Sequence, residues 1–159
     1  MRAYDDNAKP FTPTEAVATM TGPQASVAKW PQFTLASDEP KSVGGTDTAP
    51  TPSMIFVASI GFAENVILAR SAAVKNIDFD SVETKVVADW NKKGMFGIRG
   101  KDPSITALLI ETRVVTRAKP EVVVELVRLN NTRCPMTTTV GKSAEISRRL
   151  FVNGTAVTV

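Results

Sequence analysis

The chain contains no histidine and a single cysteine, Cys134, among its 159 residues. Histidine is the commonest zinc ligand, the usual partner of a catalytic serine or cysteine, and the default general base near neutral pH. Its absence excludes histidine-dependent catalytic triads and ordinary zinc sites. A lone cysteine cannot form an internal disulfide. We therefore expect neither a metal ion nor a cofactor.

Aromatic residues, surplus charge and long uncharged apolar runs are also scarce. The chain has ten aromatic residues and a net charge of +3, without the basic clusters interleaved with aromatics that single-stranded nucleic acids require. The most apolar stretch, Met54 to Ala69, is interrupted by Glu64 and Asn65, and the N-terminus lacks the apolar core of a signal peptide. We expect no nucleic-acid partner, no membrane segment and a cytoplasmic location.

Proline divides the chain unevenly, with seven of the ten prolines in the first 52 residues. Residues 1–24 are interpreted as an N-terminal arm that either packs on the domain or a partner subunit or is disordered; one amphipathic helical turn fits residues 11–18. Residues 25–159 form the single predicted domain. A strand-like pattern broken by Pro31 predicts an edge strand or hairpin over residues 25–36, followed by a turn at Asp38.

A long helix is predicted from Pro52 to Val74. Apolar residues surround it except along a narrow polar stripe, formed by Ser53, Glu64, Ser71 and Lys75. A helix of this kind is expected to be buried on most sides. Gly61 indicates either the close approach of another backbone, as in a helix between a sheet and a partner helix, or a core glycine without a special role.

The remainder of the chain predicts strands and one further helix. Alternating apolar residues predict strands over Phe79–Trp90, Ile105–Thr116 and Glu145–Val152. The segment Pro120–Leu129 begins with proline and two acids nearby, which favours a helix, although its valines also suit a strand. The order of elements predicts an α+β fold in which the long helix packs against an antiparallel sheet.

Cys134 is the candidate nucleophile of the chain. It precedes Pro135, which can begin a short helical turn whose N-terminal amides would favour a thiolate. The alternative is a small buried hydrophobic residue. The pair Gly44-Gly45 lacks the Lys-Ser/Thr of a phosphate-binding loop and is interpreted as a turn. The acidic residues around Asp80 are interpreted as a solvated strand end rather than a metal site.

Two motifs occur far apart in the chain. The first, Gly-Gly-Thr-Asp-Thr-Ala-Pro-Thr-Pro over residues 44–52, leads into the long helix, and the second is Arg133-Cys134-Pro135-Met136. Together they resemble the OsmC/Ohr family, the osmotically inducible and organic hydroperoxide resistance proteins, over residues 25–152. The resemblance implies an α+β fold whose subunits intertwine as a homodimer, with two sites at the subunit interface.

The resemblance also implies a thiol-dependent peroxidase chemistry. In active members a cysteine on the central helix attacks the hydroperoxide, and the distal cysteine of the Cys-Pro motif resolves the sulfenic acid as a disulfide, with an Arg and a Glu nearby. On this motif the family's Glu position is Met54 and its reactive Cys position is Ala63, so only Cys134 survives. The N-terminal strands offer Lys29 but no arginine for the family's Arg position.

The altered site leaves three functional expectations. The first is an OsmC-like protein related to organic hydroperoxide reductases of the oxidative or osmotic stress response, without efficient peroxidase activity or with residual activity at Cys134. The second is a non-catalytic protein that binds an apolar small molecule at the dimer interface, because Ala63 and Met54 leave an apolar pocket unless Met54 fills it. The third is an enzyme of unrelated chemistry. Glu64 is expected on the polar stripe with Ser71 rather than in this site.

Overall fold

The computed structural model describes residues 13–159. The chain forms two compact units that divide between residues 56 and 57. Within the described residues, the first unit covers 13–56 and the second covers 57–159. The division between an arm and a domain at residue 24 stays a prediction.

A three-stranded antiparallel sheet occupies the first unit. Its strands, in spatial order, are β1 (Val17–Met20), β2 (Ser26–Lys29) and β3 (Thr34–Ser37). The hairpin predicted around Pro31 is confirmed by the pairing of β2 with β3. The helical turn expected over residues 11–18 is wrong where the structure describes it, because Val17 pairs with Lys29 as strand. Residues 11 and 12 lie outside the described part of the chain.

Asp38 organises the loop that follows β3. Its side chain is 1% exposed, and its carboxylate accepts hydrogen bonds from the main-chain N–H groups and hydroxyls of Thr46 and Thr48. The hydroxyl of Thr46 and the N–H of Thr48 are the main groups that hold the pKa of Asp38 well below its usual range. A Cβ at Gly45 would lie 1.8 Å from the carbonyl oxygen of Glu39, so this turn requires glycine.

The long helix α1 (Pro52–Val74) begins in the first unit and continues into the second, and its predicted bounds are confirmed. The remaining elements are β4 (Ser81–Trp90), α2 (Lys92–Met95), β5 (Ile105–Val115), α3 (Pro120–Arg133), α4 (Pro135–Val140), β6 (Glu145–Val152) and β7 (Thr155–Val157). The predicted α+β class, the three long strands, the helix after Pro120 and the short turn after Cys134 are all confirmed. The small elements α2 and β7 were not predicted.

The sheet of the second unit has the order β4-β5-β6-β7 and is mixed rather than antiparallel. Strands β4 and β5 form an antiparallel pair, as do β6 and β7, but β5 and β6 run parallel. The expectation of a wholly antiparallel sheet is therefore wrong at one pairing. Helices α3 and α4 lie in the connection between β5 and β6, which gives the chain the crossover that parallel strands need.

Two apolar clusters join α1 to this sheet. The larger contains Leu68 and Ala72 of α1, side chains of α3, and Val114, Leu150 and Val152 of the sheet. The smaller contains Ile60, Leu108 and Ile110. A Cβ at Gly61 would lie 3.6 Å from the carbonyl oxygen of Thr84, so α1 approaches the β4 backbone closely at this glycine.

Two residues of the polar stripe of α1, Glu64 and Ser71, are buried in the second unit, whereas Lys75 is exposed. The buried residues of the helix are Ile60, Gly61, Glu64, Leu68, Ser71 and Ala72. In contrast, Phe62 is 69% exposed and Val66 is 46% exposed. The expectation that α1 is buried on most sides is wrong for the single chain, because within residues 13–159 these apolar side chains stay exposed.

Helix α1 is long and apolar enough to cross a bilayer by length and composition alone. The core helix of a soluble protein satisfies the same criteria. Here Glu64 lies at the middle of the helix and is bound within the second unit, so the apolar composition of α1 is weak evidence for a membrane span.

Candidate functional site

A buried ion pair joins the middle of α1 to β6. The guanidinium of Arg148 donates from Nη1 to Glu64 Oε2 at 2.8 Å and from Nη2 to Glu64 Oε1 at 3.1 Å. The two side chains are 7% and 2% exposed. A buried carboxylate and a buried guanidinium are tolerated here because two parallel hydrogen bonds join them and their charges are opposite.

Two polar side chains complete the coordination of the Glu64 carboxylate. Asn130, on α3, donates from Nδ2 to Oε2 at 2.8 Å and also to the main-chain carbonyl of Glu64. Thr137, on α4, donates its hydroxyl to Oε1. Burial raises the pKa of Glu64, but the hydrogen bonds and charge of Arg148, with those from Thr137 and Asn130, lower it further than burial raises it. Glu64 is therefore an ionised carboxylate at neutral pH.

Cys134 lies beside this network, between α3 and α4. Its side chain is fully buried, and Sγ lies 3.3 Å from the hydroxyl oxygen of Thr137. Thr137 thus contacts both the thiol and the Glu64 carboxylate. The fold brings together Cys134, Glu64 and Arg148 from three separate parts of the chain, and we call these residues with Asn130 and Thr137 the Glu64 cluster.

The other residues expected from the family motif are not members of the Glu64 cluster, although Ala63 directly precedes Glu64 in α1. Ala63 is half-buried on α1 and carries no polar group. Met54 lies nine residues earlier on the same helix, about 13 Å along its axis, and is 62% exposed. Met54 therefore does not fill a buried pocket in the single chain. Lys29, at the end of β2, is exposed, and Arg2 lies outside the described residues.

The expectation for Glu64 needs correction. It does share a stripe with Ser71, but both residues are buried, and Glu64 accepts a hydrogen bond from Thr137, which directly follows the Arg-Cys-Pro-Met motif. Arg148 was not among the candidate residues. Its position on β6 between Ile146 and Leu150, on the apolar face of the strand, is the signal that could have revealed it.

No group of three or more Cys, Asp or Glu side chains suited to a metal ion occurs within residues 13–159. The acidic residues around Asp80 lie at the start of β4, and Asp80 is exposed. The chemistry that the Glu64 cluster offers is that of a buried thiol next to a hydrogen-bonded carboxylate and guanidinium.

A protein-family model matches residues 45–148 and describes an OsmC-like protein. The match includes the second motif, the first motif except Gly44, and the whole Glu64 cluster. The chain belongs to the OsmC-like family. The resemblance that its two motifs carry is therefore confirmed. None of the curated proteins matches this OsmC-like protein.

Solved structures agree with this assignment at the level of the fold. An OsmC-like protein from Mycoplasma pneumoniae has a TM-score of 0.76 at 14% identity, covering 89% of this chain and 97% of its own. The organic hydroperoxide resistance protein OsmC from Legionella pneumophila has a TM-score of 0.68 at 14% identity, with coverages of 89% and 100%. An organic hydroperoxide resistance protein from Elizabethkingia anophelis has a TM-score of 0.65 at 18% identity, with coverages of 89% and 99%.

Proposed function

We propose that this OsmC-like protein acts in the oxidative or osmotic stress response as a relative of the thiol-dependent organic hydroperoxide reductases, without efficient peroxidase turnover. The observation that carries the proposal is the state of its one thiol. Cys134 is fully buried, and the family's reactive position on α1 is Ala63. A two-cysteine cycle, in which a hydroperoxide is reduced to alcohol and water while two thiols become a disulfide, lacks one of its thiols here.

The surroundings of Cys134 support this proposal. Reactive cysteines lie in partly exposed, electropositive positions. Cys134 instead lies beside the carboxylate of Glu64. The positive charge of Arg148 is already bound by that carboxylate through two hydrogen bonds. A substrate could meet the thiol only after Thr137 and its neighbours had moved.

The proposal includes a cytoplasmic homodimer. The exposed apolar side chains along α1, among them Phe62 and Val66, form a face that the single chain leaves uncovered. A second copy of the helix can cover it, and burial of such a face favours association. Light scattering coupled to size exclusion tests this, and a monomer at micromolar concentration would contradict it.

Stopped-flow consumption of cumene hydroperoxide in the presence of dithiothreitol tests the catalytic proposal. We expect no enzymatic turnover above that of the reductant alone, in wild type and in Cys134→Ser alike. Rapid turnover that disappears in Cys134→Ser would show that the surviving thiol performs the peroxidase reaction, and the proposal would be wrong. Circular dichroism of the variant controls for loss of the fold.

A gain-of-function variant tests whether the absence of the family's Glu and reactive Cys explains the lack of peroxidase turnover. Met54→Glu combined with Ala63→Cys restores both residue types of the family motif. We expect this double variant to consume hydroperoxide faster than Met54→Glu alone, which serves as its matched control. Equal rates would place the cause of inactivity elsewhere in the site.

The second candidate function is the binding of an apolar small molecule at the dimer interface. The exposed Phe62 and the replacement of polar family positions by Met54 and Ala63 favour it. Fluorescence titration with an environment-sensitive apolar dye distinguishes the two candidates. Saturable binding to the dimer that Phe62→Ser weakens would support the binding protein, whereas absence of binding would leave the first proposal alone.

A further inference from the structure

A cleft in the second unit carries positive charge that the proposed function does not use. It has a volume of about 890 Å3 and lies between α3, α4 and β6. We call it the basic cleft; the residues of its lining that matter here are Arg128, Asn131, Thr138, Lys142, Ile146 and Arg148. Its volume is within the range of small-molecule sites.

The charges in the basic cleft are mostly uncompensated. Within the described residues, neither the Arg128 guanidinium nor the Lys142 ammonium forms an ion pair. None of the described residues that line the cleft is an Asp or a Glu. Glu125, three residues before Arg128 on α3, is bound to Lys75 at 2.6 Å.

Arg148 brings oriented donors to the basic cleft. A guanidinium has five N–H donors, and the hydrogen bonds to Glu64 and Asn131 use three of them. The remaining two are unused, and the buried ion pair fixes the plane in which they lie. The Glu64 cluster thus fixes the orientation of a guanidinium that lines the cleft and keeps one further N–H donor on each Nη atom.

Asn131 is oriented in the same way. Its Oδ1 accepts a hydrogen bond of 2.6 Å from Nε of Arg148, which leaves the two amide N–H donors of Nδ2 available. The hydroxyl of Thr138 donates to the carbonyl of Cys134 and so offers no hydrogen to the cleft. The free donors of the lining are therefore N–H groups, most of them cationic.

From this arrangement we propose that the basic cleft binds a small organic anion through a carboxylate or phosphate group. Guanidinium and ammonium groups with free N–H donors match the oxygens of both groups, and arginine does so with two parallel hydrogen bonds. The volume exceeds what an inorganic ion needs, and Ile146 provides an apolar wall for the rest of the ligand. The cleft shares Thr137 and Arg148 with the Glu64 cluster, but anion binding in it requires no reaction of the Cys134 thiol.

Nuclear magnetic resonance titrations of the full chain with inorganic phosphate, sodium hexanoate and neutral hexanol test the proposal. We expect saturable binding of at least one anion, with shifts centred on the amides of Asn131 and Lys142, and at least tenfold weaker binding of hexanol. Binding of phosphate but not of hexanoate would assign a phosphate ligand. Binding of hexanoate but not of phosphate would assign a carboxylate ligand. Hexanol binding as tightly as hexanoate, or no saturable anion binding, would overturn the proposal.

Charge variants identify the site. Arg128→Gln combined with Lys142→Gln removes two exposed, unpaired cations and leaves the buried ion pair intact. We expect at least a tenfold loss of anion affinity. The matched control, Lys119→Gln combined with Arg149→Gln, makes the same charge change at the start of α3 and on the opposite face of β6. Equal losses in both double variants would reduce the effect to net charge and overturn the proposal.

Discussion

Arg148 and Glu64, separated by 84 residues, form a bidentate ion pair that is almost fully removed from solvent. The pair holds the central helix to the sixth strand, and Thr137 joins the same carboxylate to Cys134. It links three features that the sequence presents separately: an acid within an apolar helix, a cation on the apolar face of a strand, and the only thiol.

Glu64→Gln is expected to lower the free energy of unfolding by about 3 kcal/mol, because it leaves the buried Arg148 without its counter-charge. Urea denaturation followed by circular dichroism measures this. Glu111→Gln is the matched control, since it breaks the Arg113–Glu111 pair at 2.7 Å, in which Arg113 is half-exposed. The Glu111→Gln control should lower the free energy of unfolding by less than about 1 kcal/mol. Similar losses in both variants would contradict a buried, strongly coupled Glu64.

The pH dependence of stability should carry the signature of Glu64. Its folded pKa is below the ordinary value of 4.5, so the unfolded chain takes up this proton first as pH falls. The stabilisation is complete above about pH 5 and is lost as the pH falls through the lower folded pKa. The difference in unfolding free energy between wild type and Glu64→Gln should therefore shrink below pH 4.5. A difference that is constant from pH 7 to pH 3 would contradict this.

Cys134 should be protected from thiol reagents in the native protein. Its side chain is fully buried, so modification requires local or global opening. We expect native labelling by 5,5′-dithiobis(2-nitrobenzoic acid) at least about a hundredfold slower than labelling in guanidinium chloride. Stoichiometric labelling of the native protein within the mixing time would show an accessible thiol and would also weaken the proposed lack of turnover.

Two glycines should respond to alanine in opposite directions. Gly61→Ala places a Cβ at ordinary contact distance, 3.6 Å from Thr84, and should raise the free energy of unfolding by about 0.5–1 kcal/mol through helix propensity. Gly45→Ala places a Cβ only 1.8 Å from the carbonyl oxygen of Glu39, a severe clash that should lower the melting temperature. Differential scanning calorimetry of the two variants measures the direction of each change in melting temperature. Destabilisation by Gly61→Ala would indicate a further neighbour at that helix face.

Much of the fold follows from local signals in the sequence. The start of α1 is indicated by Pro52, and its end lies just before Asn76, which adopts a positive φ of 53°. The long strands follow from alternation, since β4 shows alternate exposure along its whole length. These signals act within an element, and each element appears where its own residues favour it.

Pairing between elements was harder to predict. Alternation in β6 identifies its two faces but not its neighbour or its direction. The helical connection between β5 and β6 was the available signal for a parallel pair. In α1, apolar composition suggests burial on most sides, whereas the position of Glu64 is decided by Arg148, which lies 84 residues away. A charged residue on an apolar face indicates a buried ion pair only when Glu64 and Arg148 are considered together.

The parallel pairing of β5 with β6 has a consequence for synthesis on the ribosome. Ala107 pairs with Glu145, so this part of the sheet cannot form until the intervening helices and β6 have emerged. Chains fold from the N-terminus as they are made, so the α1 carboxylate waits for its cation while the next 84 residues are synthesised. The nascent second unit can complete its core only when Leu150 and Val152 have also left the exit tunnel.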